Sequence, residues 1–154
     1  MPITGINHVT LKVRSLAEAR RFYELLGFRI SGEREQMLFF SLGDHHHHLA
    51  LYQMGQDAPD APSRAVGMAH FSLTVGREED LGPLHDVLTG AGYQILQVVD
   101  HVTNRGFYVR DGDGHVVEIT YDAPPEEWKE ISNPFAEDHP YQIRGGAPGK
   151  PGQK

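Results

Sequence analysis

The strongest constraint on the fold of this chain is an internal repeat. Segments 6–13 and 68–75 are matched, and each places one histidine near the start of a run in which apolar and polar residues alternate. A helical pattern follows each segment, and further strand-like runs separated by turn signals come after it. The sequence therefore predicts the same order of one strand, one helix and three strands twice, as two βαβββ modules.

Local signals support each element of the two copies. Ser15 and Glu18 have the spacing of a capping box, which predicts the start of the first helix. Gly27 follows the apolar stripe of that helix, as expected at a helix end. In the first copy we expect strands leading from residues 27–30, at 37–42 and through 49–52. The second copy repeats this order, with a helix at 78–89, strands leading from 92–95, at 106–110 and at 115–121, and a turn at 111–114.

One βαβββ module leaves the apolar face of its sheet uncovered, so the two modules are expected to sit side by side. The predicted fold class is therefore α+β, with paired βαβββ modules forming a curved mixed sheet around a cup. We expect a single domain at 1–122, built from modules at about 4–55 and 67–122. The rest of the chain, 123–154, is a Pro- and Gly-rich extension.

The extension divides into two parts by composition. Trp128, Phe135 and Tyr141 are too apolar for a free tail, so we expect 124–143 to pack against the domain or a partner subunit. The last ten residues, 145–154, are expected to be disordered. Open sheet edges also favour self-association of the chain as a homodimer.

Two histidines and one glutamate form a candidate metal site. Because side chains alternate across a strand, His8, His70 and Glu118 are expected on the polar faces of their strands, which would line the cup. A strand histidine taken alone more often faces solvent or forms a hydrogen bond. His8 and His70, however, hold the same position in the two copies. Two histidines and one carboxylate are the ingredients of a facial metal triad, which predicts a metal-holding cup.

The repeat also limits the number of protein ligands. When residues 44–52 are aligned with residues 113–121, Leu49 takes the position that corresponds to Glu118. Leucine cannot coordinate a metal ion. We therefore expect three protein ligands, which leaves positions open for a substrate and for dioxygen.

Composition excludes several other classes of protein. The formal charge is −7 with no block of Lys or Arg, so nucleic acid is not an expected partner. There are no cysteines, which excludes thiolate metal sites and cysteine nucleophiles. No run of about 18 apolar residues and no signal-peptide pattern occurs, so we expect a cytoplasmic protein without a membrane partner.

These residues resemble the vicinal oxygen chelate superfamily, the glyoxalase/bleomycin resistance/dioxygenase fold, over about residues 4–122. Within it the chain is most similar to single-domain extradiol ring-cleaving dioxygenases. Their signature of a histidine, an apolar residue with tyrosine, an acidic turn and a glutamate matches His101, Tyr108, the turn at 111–114 and Glu118. Gly112 stands where proline is usual, and a turn accommodates glycine.

The resemblance implies a function and a role for each site residue. The family would bind Fe(II) through His8, His70 and Glu118, with Mn(II) as an alternative metal. Tyr108 and His101 would donate hydrogen bonds to the substrate. The family's acid–base histidine lies in a His-His-x-Leu-Ala pattern, which residues 46–50 match, so His47 takes that role. Residues 45–48 are also expected to continue the strand, so that parity sets His47 on the same face as Leu49 and supports the choice of His47. The expected reaction is cleavage of a catechol-type aromatic diol with O2, as in the catabolism of aromatic hydrocarbons.

Other members of the same superfamily remain as alternatives. A fosfomycin-type thiol transferase keeps a His-His-Glu triad, usually with Mn(II), but does not need the ring-cleavage signature. A glyoxalase- or epimerase-like lyase normally needs the fourth ligand that Leu49 removes. A drug-binding resistance protein would use a dimeric apolar cleft and generally lacks the metal residues.

Overall fold

A computed structural model describes residues 2–143 of the chain. The chain divides into two compact units, unit 1 (Met1–Ala65) and unit 2 (Val66–Lys154). Within the described residues, no helix is long and apolar enough to cross a membrane. The disorder predicted for 145–154 lies outside the described residues.

Unit 1 has the predicted βαβββ order. Its elements are β1 (Val9–Val13), α1 (Leu16–Leu25), β2 (Arg29–Arg34), β3 (Met37–Ser41) and β4 (Leu49–Gln53). The strands form one sheet in the order β1-β4-β3-β2. β1 runs parallel to β4, whereas the β4–β3 and β3–β2 pairs are antiparallel. The first strand therefore crosses over through α1 and lies beside the last strand of its own module.

The helix α1 begins where the capping signal predicts. Ser15 has an extended backbone, and its hydroxyl oxygen accepts a hydrogen bond from the backbone N–H of Glu18 at 3.4 Å. Gly27 follows the helix with a φ of +89°, a conformation that strongly favours glycine. The helix buries Phe22 and Tyr23 completely against the sheet, whose contribution to the core includes Phe40, Leu49, Leu51 and Val13.

Unit 2 repeats the order and adds a strand. Its elements are β5 (Phe71–Thr74), a 3₁₀ turn (Glu78–Asp80), α2 (Leu81–Gly90), β6 (Gln94–Asp100), β7 (Asn104–Arg110), β8 (Val116–Asp122), α3 (Pro125–Trp128) and β9 (His139–Pro140). The sheet order is β5-β8-β7-β6-β9, with β5 parallel to β8. The helix predicted at 78–89 is thus a 3₁₀ turn followed by an α-helix. Both units together confirm the predicted α+β class and its βαβββ modules.

The close approach of β7 and β8 depends on one glycine. A Cβ atom at Gly106 would collide with the backbone carbonyl oxygen of Ile119 on β8. With glycine there, the two strands pair in an antiparallel register that sets Gly106 opposite Thr120 and Tyr108 opposite Glu118. Directly opposed residues project from the same face of the sheet, so this register brings the phenol and the carboxylate together.

The extension after β8 packs within unit 2. The indole Nε1 of Trp128 donates a hydrogen bond to the carbonyl oxygen of Ala123 at 3.0 Å. β9 pairs with β6 and becomes the outermost strand of the sheet. Because Pro140 has no N–H to donate, β9 is short and lies at a sheet edge, as expected for a strand that contains proline.

Candidate active site

In unit 2, a histidine and a glutamate lie within reach of one ion. His70 directly precedes β5, and Glu118 lies in the middle of β8, where its side chain is buried. The His70 Nε2 and Glu118 Oε2 atoms are 3.4 Å apart. Two ligand atoms that bind one cation side by side at ordinary bond lengths lie about 3 Å apart. The spacing and the nitrogen–oxygen donor pair therefore fit two ligands of a transition metal ion.

Glu118 is held by an asparagine that sequence reasoning missed. The side-chain amide of Asn104 donates to Glu118 Oε1 at 2.9 Å and to Thr120 Oγ1 at 2.7 Å. The sequence contained only part of the signal for this role, because alternation places Asn104 on the same face of β7 as Gly106 and Tyr108. No motif assigns Asn104 a role, and only the pairing of β7 with β8 sets it near the carboxylate.

Tyr108 and His101 form a hydrogen-bonded pair beside this carboxylate. The Tyr108 hydroxyl oxygen is 3.0 Å from His101 Nε2. The same imidazole nitrogen is 3.8 Å from Glu118 Oε1. The ring of His70 lies edge-on to Tyr108, with ring centroids 5.2 Å apart. Unit 2 thus brings together four of the residues selected from the sequence: His70, His101, Tyr108 and Glu118.

The environment keeps the Tyr108 phenol protonated. Burial, followed by the negative charge and the hydrogen bond of Glu118, raises the pKa of Tyr108 to about 12. A phenol with this pKa keeps its proton at neutral pH and acts as a hydrogen-bond donor. The predicted donor role of Tyr108 is chemically consistent with its surroundings.

A cavity of about 290 Å³ opens onto these groups. It is lined by His101, Thr103, Asn104, Tyr108, Glu118, Phe135 and Asp138. Phe135 and Asp138 come from the extension, so this segment forms one side of the cavity. A second cavity, of about 340 Å³, lies in unit 1 at the β2–β3 turn and contains none of the predicted site residues.

The two remaining candidates lie in unit 1. His8 directly precedes β1, and its Nδ1 is 2.8 Å from the side-chain oxygen of Asn7. This contact makes Nδ1 the donor and leaves the lone pair on Nε2, the arrangement typical of a metal-binding imidazole. The ring of His47 lies 4.5 Å from that of His8. Burial, and then the neighbouring His8, lowers the pKa of His47.

The four consecutive histidines do not continue β4, contrary to the prediction. β4 begins at Leu49, and residues 45–48 belong to the loop before it. The Ser41 hydroxyl closes this loop by donating to the carbonyl oxygens of Gly43, at 3.2 Å, and His45, at 2.5 Å. Strand parity therefore gives no support to the choice of His47 over its neighbours. His47 Nδ1 lies instead 2.6 Å from His46 Nδ1.

The candidate ligands are divided between the two units, with His8 in unit 1 and the pair His70 and Glu118 in unit 2. Among residues 2–143, no group of three or more His, Cys, Asp or Glu side chains is already arranged around one ion. Assembly of the triad from His8, His70 and Glu118 stays a prediction. The structure shows only the spacing of His70 and Glu118, which fits two ligands of one metal ion.

The family follows from comparison with known proteins. Residues 5–119 match the model of the Glyoxalase/Bleomycin resistance protein/Dioxygenase superfamily. The chain belongs to this superfamily. The predicted resemblance to the vicinal oxygen chelate proteins is thereby confirmed.

Two curated relatives of this superfamily member carry dioxygenase names. Catechol-2,3-dioxygenase of Bacillus subtilis is 36% identical over 112 residues, which cover 70% of this chain and 38% of the relative. Biphenyl-2,3-diol 1,2-dioxygenase 3 of Rhodococcus globerulus is 31% identical over 124 residues, which cover 78% of this chain and 65% of the relative. The chain thus spans less than two thirds of the length of each. These names support a metal-dependent enzyme of the superfamily.

Solved structures with the same fold carry several functions. A glyoxylase/bleomycin resistance protein/dioxygenase domain from a Frankia species has a TM-score of 0.65 at 23% identity, and the match covers 79% of this chain and 99% of that chain. A genomically encoded fosfomycin resistance protein from Listeria monocytogenes has a TM-score of 0.62 at 17% identity, and the match covers 81% and 98%. At these identities the likeness establishes the fold alone.

Proposed function

We propose that this chain is an extradiol dioxygenase that cleaves the ring of a catechol-type aromatic diol with O2. The observation that carries the proposal is the grouping of Glu118, Tyr108 and His101 at one cavity, with His70 beside the carboxylate. A carboxylate–imidazole pair next to two hydrogen-bonding side chains suits a substrate with two adjacent oxygen atoms. In the reaction, the ring bond beside one hydroxylated carbon breaks and both atoms of O2 enter the product.

We assign the metal ligands to His8, His70 and Glu118. A bound Fe(II) would supply the redox chemistry that lets a diol react with O2, and Mn(II) is the alternative ion. Asn104 orients Glu118 through the 2.9 Å hydrogen bond to Oε1. Since Oε1 is engaged in this way, Glu118 presents Oε2 toward His70 Nε2.

The other side chains act on protons and on orientation. The Tyr108 hydroxyl, which is protonated at neutral pH, donates a hydrogen bond to an oxygen of the substrate. His47 accepts a proton from a substrate hydroxyl through Nε2, because its Nδ1 faces His46. The lowered pKa keeps His47 neutral and ready to accept that proton at neutral pH. Phe135 gives the cavity an apolar side for the aromatic ring.

The test is oxygen uptake by the chain after anaerobic loading with Fe(II). Catechol and 2,3-dihydroxybiphenyl serve as substrates, and a visible absorption band reports the ring-opened product. We expect oxygen consumption in step with product formation. In parallel, Tyr108→Phe should slow turnover by about tenfold or more, since it removes one hydrogen-bond donor and keeps the ring.

Two results would contradict the proposal. One is the absence of oxygen uptake while Fe(II) is bound at one equivalent per chain. The other is equal turnover of the wild-type chain and His70→Ala. In the first case, Mn(II)-dependent thiol transfer to fosfomycin becomes the next activity to assay, because a fosfomycin-type thiol transferase is the alternative that keeps a His-His-Glu triad.

A further inference from the structure

The extension of unit 2 places a carboxylate beside His101. β9 pairs antiparallel with β6, so that Pro140 lies opposite Val99 and His139 lies opposite Asp100. Antiparallel partners advance in opposite directions, and the next position therefore sets Asp138 opposite His101. The carboxylate Oδ1 of Asp138 is 2.6 Å from His101 Nδ1, a short hydrogen bond.

Contacts on both sides of Asp138 fix the course of the extension. Before it, the Arg105 guanidinium on β7 forms an ion pair with Glu127 in α3. After it, the Tyr141 hydroxyl donates to Glu78 Oε1 at 2.9 Å. Asp138 is thus held against His101 by a segment that is attached at both ends.

The turn that carries His101 is also constrained. The His101 N–H donates to the carbonyl oxygen of Asn104 at 2.8 Å. Val102 has a φ of +70°, which is unusual for a β-branched residue, and its N–H donates to Asp100 Oδ1 at 2.7 Å. Strained backbone of this kind persists where its surroundings determine it, and it is often found near functional groups.

The contact with Asp138 determines which imidazole nitrogen carries the hydrogen. An ionised carboxylate only accepts hydrogen bonds, so Nδ1 of His101 must be the donor. In neutral imidazole the lone pair then lies on Nε2, which is 3.0 Å from the Tyr108 hydroxyl. The single hydrogen of the Tyr108 hydroxyl is within reach of both this lone pair and the Glu118 carboxylate. His101 therefore donates to Asp138 through Nδ1 and presents an acceptor at Nε2.

We propose that Asp138 is a positioning residue that fixes His101 in the Nδ1–H tautomer and aims Nε2 into the cavity as a hydrogen-bond acceptor, in contrast to the donor role that the family resemblance implies for His101. The extension then contributes a residue to the proposed active site, in addition to adding a strand to the sheet. The role in turnover rests on the function proposed above, whereas the tautomer is a property of the chain itself. The Asp138 side chain is 58% exposed, so its replacement should cost little stability.

The tautomer can be measured directly by ¹⁵N NMR of the full-length chain, prepared without added metal at a pH where the imidazoles are neutral. The resonances of His101 are identified by their loss in His101→Gln. In the wild-type chain, we expect a protonated Nδ1 and an unprotonated Nε2. Asp138→Leu removes the acceptor and should shift the population toward Nε2–H, whereas Asp138→Asn keeps an oxygen acceptor and should retain Nδ1–H.

The adjacent residue supplies a matched control. Glu137 is an exposed carboxylate one position away, and Glu137→Leu should leave the His101 spectrum unchanged. The proposal is overturned if wild-type His101 carries its hydrogen on Nε2. It is equally overturned if Asp138→Leu and the wild-type chain have the same tautomer population.

Steady-state kinetics then test the consequence for turnover. In the Fe(II)-loaded chain, Asp138→Leu should lower kcat by about 10- to 100-fold with KM within about threefold of the wild-type value, and Asp138→Asn should recover most of kcat. A raised KM with unchanged kcat would instead make Asp138 a binding residue and contradict the positioning role. If the tautomer depends on Asp138 but no ring cleavage occurs, the proposed function fails and the positioning of His101 stands.

Discussion

At the scale of single residues, the buried carboxylate of Glu118, a proposed metal ligand, has a neighbour at each oxygen. One oxygen accepts from Asn104 and the other faces His70. Hydrogen bonds from neighbouring residues orient a metal-binding side chain, and their loss typically weakens metal binding about 10- to 100-fold. Asn104→Leu should therefore weaken Fe(II) or Mn(II) retention by about that factor, measured by competition with a chelator. Gln94→Leu, on the exposed start of β6, is the control, and equal retention in Asn104→Leu and wild type would remove Asn104 from this role.

His47 is the second residue with a specific expected effect. Its replacement in His47→Phe keeps an aromatic ring and removes the proposed proton acceptor. Because general acid–base groups contribute about 10²- to 10⁴-fold, turnover should fall by at least about 100-fold while metal content stays the same. His46→Phe, the neighbouring histidine, is the comparison. A larger loss in His46→Phe than in His47→Phe would transfer the acid–base role to His46.

The sequence could identify the candidate site residues but not the residues that contact and orient them. His70, His101, Tyr108 and Glu118 were selected by repeat position and by motif, and unit 2 brings them together. Asn104 and Asp138 carry no motif. Their contacts depend on the register of β7 with β8 and of β9 with β6, which no local pattern specifies.

At the scale of elements, the pairing of β7 with β8 requires glycine at position 106. Gly106→Ala puts a methyl group onto the carbonyl of Ile119, so the strands must separate locally. We expect a loss of roughly 1–3 kcal/mol in the free energy of unfolding, measured by urea denaturation. Gly112→Ala, in the β7–β8 turn, is the matched control because nothing lies near its added Cβ. Similar stability of the two variants would contradict the close packing.

The elements were predictable to different degrees for physical reasons. The start of α1 was predictable because capping is local and needs only Ser15 and the backbone N–H of Glu18. The start of β4 was not, because the Ser41 hydroxyl closes the histidine loop through contacts that alternation does not reveal. The strand β9 was also missed, since two residues with a proline give no strand signal.

At the scale of the whole molecule, the proposed site takes ligands from both units. His8 is exposed just before β1, so His8→Ala should leave the fold intact. A metal bound by the native chain at 100 times its Kd stabilises the fold by about 2.7 kcal/mol, which raises Tm. The wild-type chain should show this increase with Mn(II) or Fe(II), and both His8→Ala and His70→Ala should lose it. An undiminished increase in His8→Ala would show that unit 2 binds the ion without unit 1.

The most direct test of the central claim is the fate of the two oxygen atoms during turnover. The Fe(II)-loaded chain is given ¹⁸O2 and 2,3-dihydroxybiphenyl, and the ring-opened product is analysed by mass spectrometry. Extradiol cleavage predicts a product that contains both atoms of one O2 molecule, apart from exchange with water, which an ¹⁸O-water control measures. A product with one labelled atom or none, or a diol that is oxidised without ring opening, would contradict the account.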